Sequence, residues 1–384
     1  MTAVLNNFLE GVLAFAEPSG WKYALMIVIG LGLIMLAIAK NTEPLLLLPI
    51  GFGCILCNIP LSHAVGADGF LKVLYDAGIA TELFPVLLFI GIGAMIDFGP
   101  LFMQPVTLFF GAAAQLGIFV AMLLAVGSNF IFPEVFTMRE AAAIGIIGAA
   151  DGPSAIFIGQ LFAPRYMGSI MVAAYSYMSL VPLIQPPVVR ALTTSKERRI
   201  RMTASFEKHK IPKHVRILFP IVVTLVAGIV APMSTSLIGA LMFGNLIREC
   251  GVTEKLSQTA QNELSGLVTL LLGITIGSTM RAQDFLTPQT ALIMGIGLLA
   301  FMFDTAGGVL FAKLANLFLP EDRKVNPMVG ACGISAFPMS ARVIQRMAQQ
   351  EDPSNFILMP AIGANVAGQV GSIIAAAMIL SIFG

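Results

Sequence analysis

Gly148-Ala149-Ala150-Asp151-Gly152-Pro153-Ser154-Ala155 and Gly330-Ala331-Cys332-Gly333-Ile334-Ser335-Ala336-Phe337-Pro338-Met339-Ser340-Ala341-Arg342 decide how this chain folds. Each lies inside an apolar stretch, 141–161 or 326–346, and interrupts it with Gly, Pro and polar residues. Backbone groups freed by such a break cannot face lipid, where each would cost several kcal/mol. They need partners supplied by protein or by a water-filled cavity. Pro153 and Pro338 are 185 residues apart; Gly93 of GIGAMIDF and Gly277 of TIGSTMRAQDF are 184 apart. Offsets that agree to within one residue from two separate anchors argue for an internal duplication.

Composition sets the medium around these breaks. Of 384 residues, 57% are hydrophobic and only 11% charged, against about 25% charged in soluble domains. A soluble fold of this length cannot hide that much apolar surface. The chain is therefore an integral membrane protein, which excludes a secreted disulfide scaffold, a disordered chain and a nucleic-acid binder. Crossing the hydrocarbon takes about 20 apolar residues, or ~17 in a tight span. Candidates are 24–39, 44–60, 82–96, 104–126, 168–186, 217–231, 234–248, 264–279, 289–313 and 355–383. The expected fold is all-α and polytopic: two inverted repeats, about ten transmembrane helices and two broken re-entrant hairpins.

Nine of the 22 basic residues fall between Arg190 and Arg216, which places that loop in the cytoplasm. With five crossings per half, Lys40, Arg248, Lys255, Lys313, Arg323, Lys324 and Arg346 join it inside. This count requires two helices turning near Pro232. The organisation is then 1–20, an interfacial segment with Leu5, Phe8, Leu9 and Val12 on one side; 21–189, the first membrane repeat; 190–216, the basic loop; and 217–384, the second repeat.

Interrupted segments at matching positions of inverted repeats point to a midplane ion or substrate site. Asp151, about ten residues into an apolar stretch, is costly there unless it works, holding a hard cation or relaying a proton; Asp-Gly-Pro is also turn chemistry. Carboxylate, amide, hydroxyl and carbonyl oxygens suit Na⁺ or H⁺ better than a transition metal. Arg342 either snorkels to the interface or grips an anionic substrate. Asp304 reads equally as an ion ligand or as a bond between helices. Asn326 and Asn365 read as interhelical amides, and Tyr175 and Tyr177 as belt or core residues. Cys54 and Cys57 have CxxC spacing but read as buried small residues. From residues alone, an ion-coupled membrane carrier without chemistry fits as well as an enzyme, and a scaffold whose basic loop recruits partners is a third reading.

GIIGAADGPSAIFIGQLFAP, MVAAYSYMSLVPLIQPPVVRALTT, NPMVGACGISAFPMSARVIQ and PAIGANVAGQVGSIIAAA resemble the β subunits of sodium-pumping, biotin-dependent decarboxylases, from about residue 20 to the end. These act on oxaloacetate, glutaconyl-CoA, methylmalonyl-CoA or malonate. The resemblance implies a bacterial inner-membrane enzyme that decarboxylates carboxybiotin, exports Na⁺ and consumes a proton. It implies a carboxyltransferase α subunit, a biotin carrier protein and a small γ/δ membrane subunit as partners, with the chain itself a homo-oligomer among membrane lipid. By the same resemblance Asp151, Tyr177 and Arg342 are catalytic. Arg342, Ser335 and Asn365 would meet carboxybiotin, and Asp151, Asn326, Gly330, Ser335, Tyr177 and Asn365 would handle Na⁺.

Overall fold

The computed structural model describes residues 10–40, 44–66, 68–103, 105–202, 211–230, 232–336 and 339–384. Every regular element among them is helical. The first half runs through α1 (Gly20–Lys40), α2 (Pro44–Asn58), α3 (Leu83–Met95), α4 (Thr107–Ala114) and α5 (Leu116–Ser128). It continues with α6 (Met138–Gly145), α7 (Gly152–Phe162), α8 (Met167–Ser179) and α9 (Val181–Leu192). The second half contains α10 (Lys213–Val230), α11 (Thr235–Cys250), α12 (Ser265–Ser278), α13 (Pro288–Phe318), α14 (Pro327–Gly330), α15 (Met339–Glu351) and α16 (Leu358–Phe383).

Each apolar candidate span contains a helix, but few are unbroken. Five runs are long and apolar enough to cross a bilayer: α1, α4 with α5, α10, α13 and α16. Two bent pairs, 44–58 with 63–79 and 164–178 with 181–192, raise the number to seven. The remaining helices are shortened by their own sequence. Among them, α3 and α12 end within 15 residues. The turn at Pro232 exists: a 3₁₀ turn over Pro232–Ser234 separates α10 from α11. Of the proposed interfacial face, Leu5, Phe8 and Leu9 lie outside the described residues, while Val12 is exposed.

Element order recurs along the chain. A helical hairpin (α1–α2, then α10–α11) precedes a short helix that ends in a π turn, at Tyr75–Ile79 and again at Ala260–Leu264. A short apolar helix, a long span and a broken segment follow in both halves. Contacts recur too, with partners exchanged: α2 packs on α12 as α11 packs on α3. The 3₁₀ turn of the first broken segment, Ile146–Ala149, packs on α13; that of the second, Ala331–Gly333, packs on α4.

The chain between the halves is not loose at its start. Residues 193–202 form a strap held on the far end of the second broken segment. Arg198 pairs with Glu351 at 2.6 Å and Arg201 with Asp352 at 2.7 Å. The Asn326 amide donates to the carbonyls of Arg198 (2.8 Å) and Ile200 (2.9 Å), and Asn355 donates to the same two oxygens at 3.3 Å. Hydrogen bonds from Ser354 and Arg201 bring Asp352 down to about 2, and Ser195 and Arg198 lower Glu351. Groups depressed in the folded state contribute stability above the ordinary carboxyl value near ~4 and lose it as pH falls through the folded value. Hydrogen-exchange protection of the 193–202 amides should therefore hold above pH ~4 and disappear between about 4 and about 2. Protection that survives unchanged to pH ~2 would show that the ion pairs do not hold the strap.

Candidate functional site

Both broken segments reach the middle of the bundle and touch. In the first, α6 tightens into a 3₁₀ turn that ends at Ala150, which is forced to φ 51°. A non-glycine residue in that left-handed region costs of order 1–3 kcal/mol and persists only where its surroundings impose it. Asp151 follows at φ −123°, and α7 restarts with Pro153 in its first turn. In the second, α14 passes through Ala331–Gly333 and opens at Ile334. The Ser335 N–H donates to the Ala149 carbonyl at 3.3 Å, joining the two breaks directly.

Asp151 is 3% exposed. Its Oδ2 accepts from the Ser154 hydroxyl and, at 3.2 Å, from Ser372 of α16. Gly152 brings the chain against Tyr175 of α8 so closely that a Cβ would collide with the ring.

The carbonyls freed by the second break are satisfied by buried amides. Gln185 of α9 donates to Ala331 O at 2.8 Å. Asn365 of α16 donates to Cys332 O (3.2 Å) and Ile334 O (2.6 Å), and Gln369 donates to Ser335 O. Ser335 itself donates through Oγ to Gly368 O at 3.0 Å. Each amide thereby spends its NH₂ on backbone, Gln185 also on the Ser340 hydroxyl at 2.8 Å, and the oxygens of Gln185, Asn365 and Gln369 are left buried without a hydrogen-bond partner. Such oxygens are costly in a dry site. Amide and carboxylate oxygens of this kind suit a hard cation better than a transition metal. Among the described residues there is no cluster of three or more His, Cys, Asp or Glu side chains for a transition metal.

The sequence-derived residues divide. Asp151, Ser335 and Asn365 belong to this constellation. Gly330 sits one turn away in a backbone-to-backbone contact, where a Cβ would collide with the Gly308 carbonyl of α13. Asn326 lies at the strap end, and its three side-chain hydrogen bonds are spent on Arg198 O, Ile200 O and Met328 N–H. Tyr177 turns its hydroxyl to Met294 O of α13 at 2.5 Å, leaving Tyr175 as the ring beside the Asp151 break. Arg342 is exposed on α15 and has no ion pair among the described residues. Asp304 is fully buried and accepts from Gly117 N–H of α5 at 2.6 Å, a bond between helices. Cys54 and Cys57 are buried free thiols whose Sγ atoms face the carbonyls of Met26 and Gly277 at 3.4 Å. Gln185, Gln369, Ser372 and Tyr175 complete the site; apart from Tyr175, none stands out in the sequence, since an isolated amide or hydroxyl in an apolar helix gives no pattern.

Comparison with known proteins decides the family. The family model described as the Na⁺-transporting oxaloacetate decarboxylase beta subunit matches residues 22–383. The chain belongs to that family. It is 48% identical to the methylmalonyl-CoA decarboxylase subunit beta of Veillonella parvula over 99% of this chain and 96% of that one. The glutaconyl-CoA decarboxylase subunit beta of Acidaminococcus fermentans is 47% identical, over 100% of this chain and 98% of the relative. The oxaloacetate decarboxylase beta chain of Klebsiella pneumoniae is 44% identical, over 98% of both. As a member of this β subunit family, the chain is a polytopic helical membrane protein related over its whole length to decarboxylase subunits with three different named substrates.

Proposed function

We propose that this β subunit decarboxylates carboxybiotin delivered by a biotin carrier protein, that the energy released exports Na⁺, and that one proton is consumed. The observation that carries the proposal is the meeting of the two breaks: Ser335 N–H donates to Ala149 O, and Ser372 of α16 donates to both Asp151 Oδ2 and Gln369 O. A second observation supports a shared carrier. Relatives named for methylmalonyl-CoA, glutaconyl-CoA and oxaloacetate decarboxylases match this chain almost equally well. A β subunit that met the acid itself would need a different pocket for each; one that meets only carboxybiotin would not. An α carboxyltransferase, the carrier and a small γ/δ chain are the proposed partners, in a bacterial inner membrane with the 190–216 loop cytoplasmic and the two halves as inverted repeats. Each protomer is proposed to assemble with further copies of itself.

The proposed sequence of events follows from residue chemistry. Arg342 lies nine residues from Glu351 on α15, about 13 Å along the helix at 1.5 Å per residue. Its side chain is exposed, and its guanidinium would bind the carboxylate of the incoming carrier bidentately. In the drier site next to Ser335 and Asn365 the N–CO₂⁻ bond breaks, CO₂ leaves as a neutral molecule, and the electron pair remains on the biotin nitrogen. Tyr177, whose hydroxyl is held on Met294 O here, supplies the proton to that nitrogen once it turns from that carbonyl, and is reprotonated from water. Na⁺ is the cargo, held by Asp151 with Asn365, Gln369 and Gln185, while Ser335, Gly330 and Asn326 shape the second segment around it. Asp151 and Ser335 are each 3% exposed and Asn365 is fully buried, so turnover requires a second conformation that opens the site.

The experiment is Na⁺-dependent CO₂ release from carboxybiotin by the purified chain. Release that rises with Na⁺ is the expected result. Uptake of an intact carboxylate with no CO₂ would make the protein an ion-coupled carrier instead. Tyr177→Phe should slow the step by about 10²-fold, the lower range for general acid catalysis. A full rate in that variant would transfer the donor role to Tyr175.

A further inference from the structure

At the strap end of α13 a cavity of about 680 Å³ has one charged wall and one apolar wall. Lys196, Arg199, Lys313 and Lys324 contribute four cations; Glu197 and Glu321 contribute two carboxylates. The acids are already engaged. Glu197 pairs with Lys313 at 3.2 Å and accepts from Thr194, and Glu321 pairs with Lys324. Lys196 and Arg199 are exposed and have no ion pair among the described residues. Two positive charges therefore remain unbalanced at the mouth of the cavity.

The opposite wall is Leu310, Leu314 and Leu317, spaced four and three residues apart and so aligned on one face of α13. They are 49%, 51% and 78% exposed. Phe303, two turns earlier on the same face, is also exposed, so the stripe continues down the spanning helix from the cations. An apolar stripe on a spanning helix that ends in unpaired cations matches one kind of ligand: acyl chains along the leucines and a phosphodiester among the cations.

We propose that this cavity binds one anionic phospholipid at the membrane surface that carries the strap. An acidic protein would satisfy the cations but would leave the leucine stripe uncovered, and a free phosphate would ignore it. The site is separate from the Asp151 constellation and does not depend on the chemistry proposed there. Basic pockets of this kind beside transmembrane helices bind lipid headgroups, and each cation close to an anionic lipid surface contributes measurably.

The test uses the full chain in nanodiscs of phosphatidylcholine with phosphatidylglycerol titrated in, and native mass spectrometry counts the phosphatidylglycerol retained. Wild type should retain it. Lys196→Gln with Arg199→Gln should weaken retention about thirtyfold, the worth of two cations near an anionic headgroup. Leu314→Ser should weaken it with the cations intact, and free glycerol phosphate should not compete. Melting in neutral detergent confirms that both variants fold. Three outcomes would each overturn the proposal: unchanged retention in the double variant, competition by glycerol phosphate as effective as that by lipid, or a double variant that loses only binding of the biotin carrier protein.

Discussion

Asp151→Asn will leave the protein folded and remove its response to sodium. Asparagine has the same shape, and its oxygen can still accept from Ser154 and Ser372, so the junction of the two broken segments keeps its hydrogen bonds. What disappears is the negative charge of a carboxylate only 3% exposed. Removing one partner of a buried charge pair costs about 3–5 kcal/mol, so the apparent Na⁺ affinity should fall by about 10² to several 10³-fold. Ser372→Ala removes one hydrogen bond to the carboxylate and keeps the charge, and should shift Na⁺ half-saturation by about tenfold. The measurement is CO₂ release against Na⁺ concentration, paired with a melting curve. Equal half-saturation in Asp151→Asn and wild type, with unchanged melting, would remove Asp151 from the ion site.

Gly330→Val tests a different assignment. The family resemblance groups Gly330 with the ion-handling residues, but its surroundings are backbone: a Cβ there would collide with the Gly308 carbonyl. Valine would force α13 and the second broken segment apart at their closest approach. Overpacking of this kind costs about 1–3 kcal/mol, occasionally more, and here it would also pull Ser335 away from Ala149. The expected outcome is a lowered melting temperature together with lost turnover. Gly308→Ala should lower the melting temperature in the same way although Gly308 has no place in the proposed ion site. If Gly330→Val melted like wild type and changed only Na⁺ dependence, a carbonyl-ligand role for Gly330 would be the better account.

The two breaks could be read from the sequence because Gly, Pro and Asp are conspicuous in an apolar background, and their physical cost in lipid is large. The recurrence of elements was visible through the same residues. Which polar groups converge was less accessible. Tyr175 and Tyr177 are two residues apart on a helix, so they face nearly opposite sides, and the choice between them is set by Gly152 and Met294 rather than by anything near them in the chain. Asn326 and Asn365 look alike as isolated amides. One binds strap carbonyls and the other the carbonyls of Cys332 and Ile334, a difference made by partners 128 and 33 residues distant. Gln185, Gln369 and Ser372 gave no signal, because their function is to satisfy backbone groups that only the folded breaks expose. Span counting had a similar limit: hydropathy registers apolar length, while the bends between 44–58 and 63–79 and between 164–178 and 181–192 divide it into shorter rods.

The clamp formed by Asn326 and Asn355 gives the tether between the halves an unusual property. Both amides grip Arg198 O and Ile200 O, so the C-terminal edge of the first half is fastened to the second by the fold itself as well as by covalent continuity. A polypeptide severed after Met202 should thus reassemble from two co-produced fragments, with the stub of the first seated in the second like a peg.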